Sequence, residues 1–291
     1  MAGLIEDKDL NPTQLAYKPR TFKQAGYLVE EFDSLTQMKS WLDASPLDET
    51  FSRRSIDRSF TGGAKTWAEE KEKIMFGDIV STEALGKQLS STASSPLDSP
   101  MGIAMGVEGC AYDMGAVISG EPECCLRMDE LTPVESIDIY VDIGYRGDVE
   151  ADTINRRTIA IMKLINQLVL QKVVVNFHLA HYTTVSGEYN LGTVLTIKGT
   201  EGLIPQVAYL CSPSFFRIVS WNLNEIRCGI NGGSACSRPN EDLRRSIKKD
   251  GGFYIPGGYV DSFWSDVDNQ EEADNHLMES YERFLKDRKV A

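Results

Sequence analysis

The sequence predicts an α/β fold: a mostly parallel sheet with flanking helices, preceded by a helical N-terminal arm and followed by an acidic C-terminal helix. Three stretches predict it. "SIDIYVDIG" alternates Ile137, Ile139 and Val141 with Asp138, Tyr140 and Asp142, the period-two pattern of a half-buried strand. "DTINRRTIAIMKLINQLVLQK" then carries Ile154, Ile161, Leu164, Ile165 and Leu168 along one helical stripe, with Asp152 or Thr153 near the cap. "VVVNFHLAHYTT" returns to strand composition almost at once. Strand, helix and strand in that order predict a right-handed crossover and parallel pairing.

The remaining elements follow in order. Residues 1–85 read as a helical arm. In "SLTQMKSWLDA", Leu35, Met38, Trp41 and Leu42 recur at helical spacing, with Ser34 as N-cap. In "TWAEEKEKIMFG", Thr66 caps a helix from Trp67 to Met75, Glu69 holds the capping-box position and Gly77 ends it. Residues 86–100, "GKQLSSTASSPLDSP", have the composition of a linker or mobile loop. Residues 101–260 form the α/β core. Within it "YNLGTVLTIKG" and "QVAYLC" read as further strands. "SPSFFRIVSWNLNEI" begins a helix with Pro213 in its first turn, and "GGFYIP" is a short strand. Residues 261–291 are an acidic tail ending in the helix "NQEEADNHLMESYERFLKDRK".

Charge narrows the function classes. The net charge of −13 opposes coating of duplex DNA by bulk electrostatics, while leaving room for a local basic groove. Between Gly251 and Glu282 there are eight acids and no Lys or Arg, the composition of a solvated or partner-binding segment. No apolar run reaches the ~18 residues of a membrane span. The start, "MAGLIEDKDLNP", lacks the apolar region of a secretory signal, so a cytoplasmic location without membrane contact is expected. Cys110, Cys124, Cys125, Cys211, Cys228 and Cys236 contain no C-x-x-C pair and are expected as free thiols.

"GCAYDMGAVISGEPECC", from Gly109 to Cys125, looks chemical but reads as structural. Cys124 and Cys125 are adjacent and point apart in an extended chain. His178 and His181 are three apart on a strand and face opposite sides. No metal and no cofactor is therefore expected. Neither a nucleophile elbow nor a P-loop occurs, and "GINGG" alone is a turn. An enzyme acting on nucleic acid or nucleotide with magnesium would draw on Glu121, Glu123, Asp138 and Asp142.

The basic residues give the leading reading, a non-enzymatic protein that binds single-stranded nucleic acid. Arg156 and Arg157 open the long helix. "DLRRSIKKDGGFYIPGGY" sets Arg244, Arg245, Lys248 and Lys249 beside Phe253, Tyr254 and Tyr259. Cations that track a phosphate backbone, next to rings that stack on bases, are the pattern of single-strand binding. The expected nucleic-acid-binding residues are Arg156, Arg157, Arg244, Arg245, Lys248, Lys249, Phe253 and Tyr254, with no catalytic residue. The rival reading is a protein-interaction module that blocks or scaffolds another factor without binding DNA.

Three pieces carry a resemblance: "GCAYDMGAVISGEPECC", "INRRTIAIMKLINQL" leading into a strand, and "YLCSPSFFRIVSWNLNEI". From about Gly109 to about Ile226 the chain resembles an uncharacterised family carried by phages and mobile elements. That resemblance implies a phage origin and assigns no catalytic residue. The core is similar to von Willebrand A-like or Rossmann-like folds. Where the former place Asp-x-Ser-x-Ser, this chain has Asp142-Ile143-Gly144-Tyr145-Arg146, so the likeness implies a degenerate ion site. In size and in its basic, aromatic cluster the chain also resembles the single-stranded-DNA-binding transcription co-activators of some podoviruses. This implies single-stranded DNA as one partner, with phage RNA polymerase or another protein recruited through the acidic tail, in the infected host's cytoplasm.

Overall fold

The alternating stretch at Ser136 lies at the heart of a seven-stranded sheet in the computed structural model, which describes residues 10–44, 67–77, 103–106, 111–112, 125–128, 136–171, 173–185, 189–198, 203–220, 223, 234–236 and 241–290. The elements are α1 (Pro12–Ala16), β1 (Arg20–Gln24), β2 (Tyr27–Phe32), α2 (Leu35–Asp43), α3 (Trp67–Phe76), β3 (Ile103–Gly106), β4 (Ala111–Tyr112), β5 (Cys125–Met128), β6 (Ser136–Asp142), α4 (Ala151–Leu170), β7 (Val174–Val185), β8 (Tyr189–Ile197), α5 (Leu203–Leu210), a π-helical stretch (Phe215–Ser220), β9 (Ser234–Cys236), α6 (Glu241–Lys249), β10 (Phe253–Ile255), α7 (Phe263–Asp266) and α8 (Gln270–Val290). The sheet runs β1-β2-β8-β7-β6-β10, with β9 added along β7. β3, β5 and β4 form a separate small sheet. β6 pairs in parallel with β7 and with β10, and β2 with β8. The pairs β1–β2, β7–β8 and β7–β9 are antiparallel. The fold is α/β with a mixed sheet, and β6–α4–β7 is the expected strand–helix–strand unit with parallel strands. No helix among the described residues is long and apolar enough to cross a membrane.

Strand alternation gives the sheet two unequal faces. Ile137, Ile139, Val141, Val175, Phe177, Leu179, Leu195 and Phe32 point into the larger core, shared with α2, α3, α4, α5 and α8. Their neighbours Tyr27, Val29, Ala180, Tyr182 and Val194 point the other way and meet Leu243 of α6. Each buried side chain of the size of Val or Phe contributes about 1.5–3 kcal/mol. A one-residue slip would move a whole set to the wrong face, which fixes the register. Gly192 is matched to this second face, because a Cβ there would lie 3.0 Å from the Tyr182 ring.

The start of α2 and the end of α3 follow the local signals, whereas α4 begins after Glu150 with no side-chain cap, two residues before the expected Asp152. Ser34 Oγ accepts from the Gln37 amide at 3.1 Å and starts α2. Gly77, with φ +72°, closes α3, and its Cα sits so near Pro205 that a Cβ would fall 2.5 Å from the Pro205 carbonyl. The helix expected after Pro213 is present and continues as the π-helical stretch. Thr66 and residues 86–100 lie outside the described residues.

Two expectations are corrected. Residues 20–32, read as part of a helical arm, are the strands β1 and β2. β2 joins β8, so this segment belongs to the main sheet. The buried core accordingly extends from Leu10 to Leu277, beyond residues 101–260. "QVAYLC" is not a strand but lies largely in α5. Val207, Ala208, Tyr209 and Leu210 are all buried there, and Tyr209 donates to the Glu70 carbonyl at 2.6 Å. A short apolar run reads alike as a buried strand or a buried helix, since neither leaves a polar face.

Candidate binding cleft

Among the described strands β10 is the end strand of the sheet, and local chemistry positions it. α6 terminates in a Schellman arrangement. Gly251 takes φ +81°, and the Gly252 amide donates to the Ile247 carbonyl at 3.2 Å. Gly252 must be bare, because a Cβ would lie 2.7 Å from the Tyr140 ring. The chain then enters β10 with alternating side chains. Phe253 turns toward α8 and meets Tyr281 and Phe284, each with ring centroids 5.2 Å away. Tyr254 turns the opposite way and donates to Asp142 Oδ2 at 3.0 Å.

α6 covers one face of the sheet and α8 the other, and a cleft of about 710 Å³ opens between them along β10. Glu241, Arg244 and Arg245 line it from α6. Ser280, Arg283, Phe284 and Asp287 line it from α8. Gly251 to Tyr254 and Pro256 form its base, and Val260, Asp261 and Ser262 close one end. Some rim charges are already paired. Arg245 reaches Glu241 at 3.1 Å and Asp261 reaches His276 at 3.1 Å. Arg244 and Arg283 form no ion pair among the described residues, and Arg244 Nε is shielded from solvent without a hydrogen-bond acceptor.

Beneath the cleft lies a buried polar hub at the C-terminal ends of β6 and β10. Asp142 accepts from the Gly144 amide at 2.8 Å and from Tyr254 Oη, and the Gly257 amide also acts on it. Burial pushes its carboxyl up to about 6 against the pull of these donors and of Arg157. Burial and the Asp142 carboxylate push the Tyr254 phenol well up as well, which keeps it a donor. Arg157 donates to the carbonyls of Asp142 at 2.9 Å, Ile255 at 3.2 Å and Pro256 at 2.8 Å, and to Tyr145 Oη at 2.9 Å. Its guanidinium also sits over the Tyr145 and Trp264 rings. One side chain thus ties the last residue of β6 to the last residue of β10 and to Pro256 beyond it.

The eight expected binding residues separate into three groups. Arg244, Arg245, Phe253 and Tyr254 come together at the cleft. Phe253 and Tyr254 are only 4% and 8% exposed, however, and their rings are engaged by α8 and Asp142, so the expectation of free stacking surfaces is corrected. Arg156 and Arg157 are not at the cleft. Arg156 is half-buried and donates to the Val267 carbonyl at 3.0 Å, and Arg157 is fully buried in the hub. Lys248 and Lys249 are in the last turn of α6, with side chains outside the described residues. Arg283 and Phe284 of α8 were not anticipated. The charge reversal after Glu282, in "RFLKDRK", was the available signal.

The other chemical candidates are dispersed. His178 lies between Asp138 and Thr196, at 3.2 and 2.9 Å, and stacks on Tyr140. His181 faces the other core beside Ser220 and Phe216, and burial pushes it down to about 3. Of the stretch from Gly109 to Cys125, Ala111, Tyr112 and Cys125 are described. Tyr112 pairs with Cys125 across an antiparallel ladder, and Cys110 and Cys124 lie outside the described residues. Among the described residues no group of three or more His, Cys, Asp or Glu is placed to hold a metal ion.

Fold and cleft together define an α/β protein whose sheet ends in an edge strand framed by two helices. Residues 16–290 match the model of a domain of unknown function, DUF7192, and the chain belongs to that family. No curated protein and no solved structure matches it.

Proposed function

We propose that the protein is a non-enzymatic binding module and that the cleft along β10 receives a segment of a partner protein. The observation that carries this is the composition of the cleft. A sheet edge and aromatic side chains form its base, and arginines and carboxylates share its rim. A rim of mixed charge around a partly apolar floor is the pattern of a protein-binding surface. Single-strand binding requires a predominantly cationic track with rings free to stack. That second reading draws support from Arg244, Arg245 and Arg283 lining one cleft, while Glu241, Asp261 and Asp287 on the same rim weigh against it.

The test pairs two measurements on the full chain. A random peptide library is selected against the wild-type protein and against the Arg244→Glu/Arg283→Glu variant, and a labelled twelve-residue oligothymidylate is titrated by anisotropy. Peptides that enrich on the wild type and are lost on the variant support the reading. Oligothymidylate binding that weakens steeply with salt and vanishes in the variant, without peptide enrichment, replaces it with single-strand binding.

A further inference from the structure

We infer that the partner segment is an extended, acidic peptide that adds to the outer edge of β10, where no described strand pairs, as a further strand. This rests on the proposed function above and specifies both the binding mode and the partner's charge.

β10 pairs with β6 on its inner side, and no described strand pairs with its outer side. A strand donates and accepts along both sides, so the outer side offers backbone groups to a newcomer. The frame has the right shape. Phe253 packs on α8 over one face and Tyr254 lies toward α6 over the other, so the two helices flank the position of a next strand, about 4.8 Å away. An extended peptide docked on a sheet edge beside a helix is an established binding mode, with main-chain bonds for affinity and alternate side chains for specificity. β10 itself covers Phe253–Ile255, about 10 Å at about 3.3 Å per residue, so about three residues of the added strand face it and a hexapeptide covers it with flanks on both sides.

Charge selects the sequence. Each wall carries one arginine without an ion pair among the described residues, Arg244 on α6 and Arg283 on α8. Side chains of an added strand alternate between the two faces, so acids of opposite parity reach the two arginines. Arg244 Nε, shielded and without an acceptor, gains one when a carboxylate arrives. The other rim pairs, Arg245 with Glu241 and Asp261 with His276, are already made and do not compete.

The test uses labelled, end-capped hexapeptides of Val and Thr with Glu at positions two and five, and the same peptides with Lys or Gln at those positions. A further version of the Glu peptide carries N-methyl groups on alternate amides, in both parities. Anisotropy is measured with the full-length protein. The expected result is tightest binding by the Glu peptide, a loss of at least about tenfold with the Lys peptide or with Arg244→Glu/Arg283→Glu, and a similar loss for one parity of N-methylation only. Equal binding of both N-methylated forms and the parent overturns strand addition. Preference for Lys or Gln over Glu overturns the acidic assignment. If no hexapeptide binds while the peptide library still enriches at the cleft, this inference fails and the broader reading stands. If the library also fails, both fall.

Discussion

Arg156 and Arg157 are neighbours in sequence with opposite placements, and helical geometry explains the difference. Arg157 lies three residues after Ile154 and four before Ile161, on the apolar stripe of α4, and so its guanidinium is carried into the interior. There it is useful because three carbonyls and a phenol converge on it. Arg157→Ala removes those donors and leaves a cavity, and is expected to lower the unfolding free energy in urea by about 3–5 kcal/mol. Asp142 makes the second prediction. Its folded pKa is raised from 3.8 to about 6, so the native state holds the proton more tightly than the unfolded chain. Its contribution is fully present below about pH 4 and is lost as pH rises through about 6. The loss amounts to about 3 kcal/mol at about 1.4 kcal/mol per pKa unit. In urea denaturation from pH 4 to 7, Asp142→Asn is expected to remove this decline while leaving the rest of the profile in place.

At the scale of elements, two glycines with similar backbone angles are predicted to behave differently. Gly77 and Gly251 have φ of +72° and +81°, which L side chains rarely adopt. At Gly251 a Cβ meets nothing within 4 Å, so Gly251→Ala bears only the left-handed penalty of about 1–2 kcal/mol. At Gly77 the same methyl would strike the Pro205 backbone at 2.5 Å. Gly77→Ala must also separate α3 from α5, and thermal melts are expected to rank it clearly below Gly251→Ala. The sequence disclosed the elements whose pattern is local. Ser34 and its helix, the long stripe of α4 and the alternation of β6 were all legible. β1 and β2 were not, because "RTFKQ" is mostly exposed and "YLVEEF" carries Glu30 and Glu31, so neither shows a clean alternation. Pairing with β8, more than 150 residues away in the chain, holds β2 in the sheet, and β1 joins it through β2. The cleft divides in the same way. Arg244, Arg245, Phe253 and Tyr254 are close in sequence and were read together. Arg283 and Phe284 reach the site only because α8 returns to the sheet edge, which no local pattern encodes.

At the scale of the whole molecule, the larger core is continuous from the N-terminal strands to the C-terminal helix. Phe32, Trp41, Leu42 and Ile74 are completely buried in it, together with Ile139 of β6 and Phe177 of β7. A chain beginning at residue 101 would therefore expose the sheet face that α2 covers and the side of α5 on which α3 packs. It is expected to lose near-ultraviolet circular dichroism and protease resistance, whereas an independent core would keep both. The same continuity bears on synthesis. β10 is made from residues 253–255 yet pairs in parallel with β6, which ends at residue 142. On the ribosome, β6 waits with one flank bare until more than a hundred further residues have emerged, and Arg157 lacks two of its carbonyl acceptors for the 98 and 99 residues that separate it from Ile255 and Pro256. The nascent chain is then most vulnerable to clumping, and the arrival of Phe253–Ile255 acts as a clasp that ends the danger.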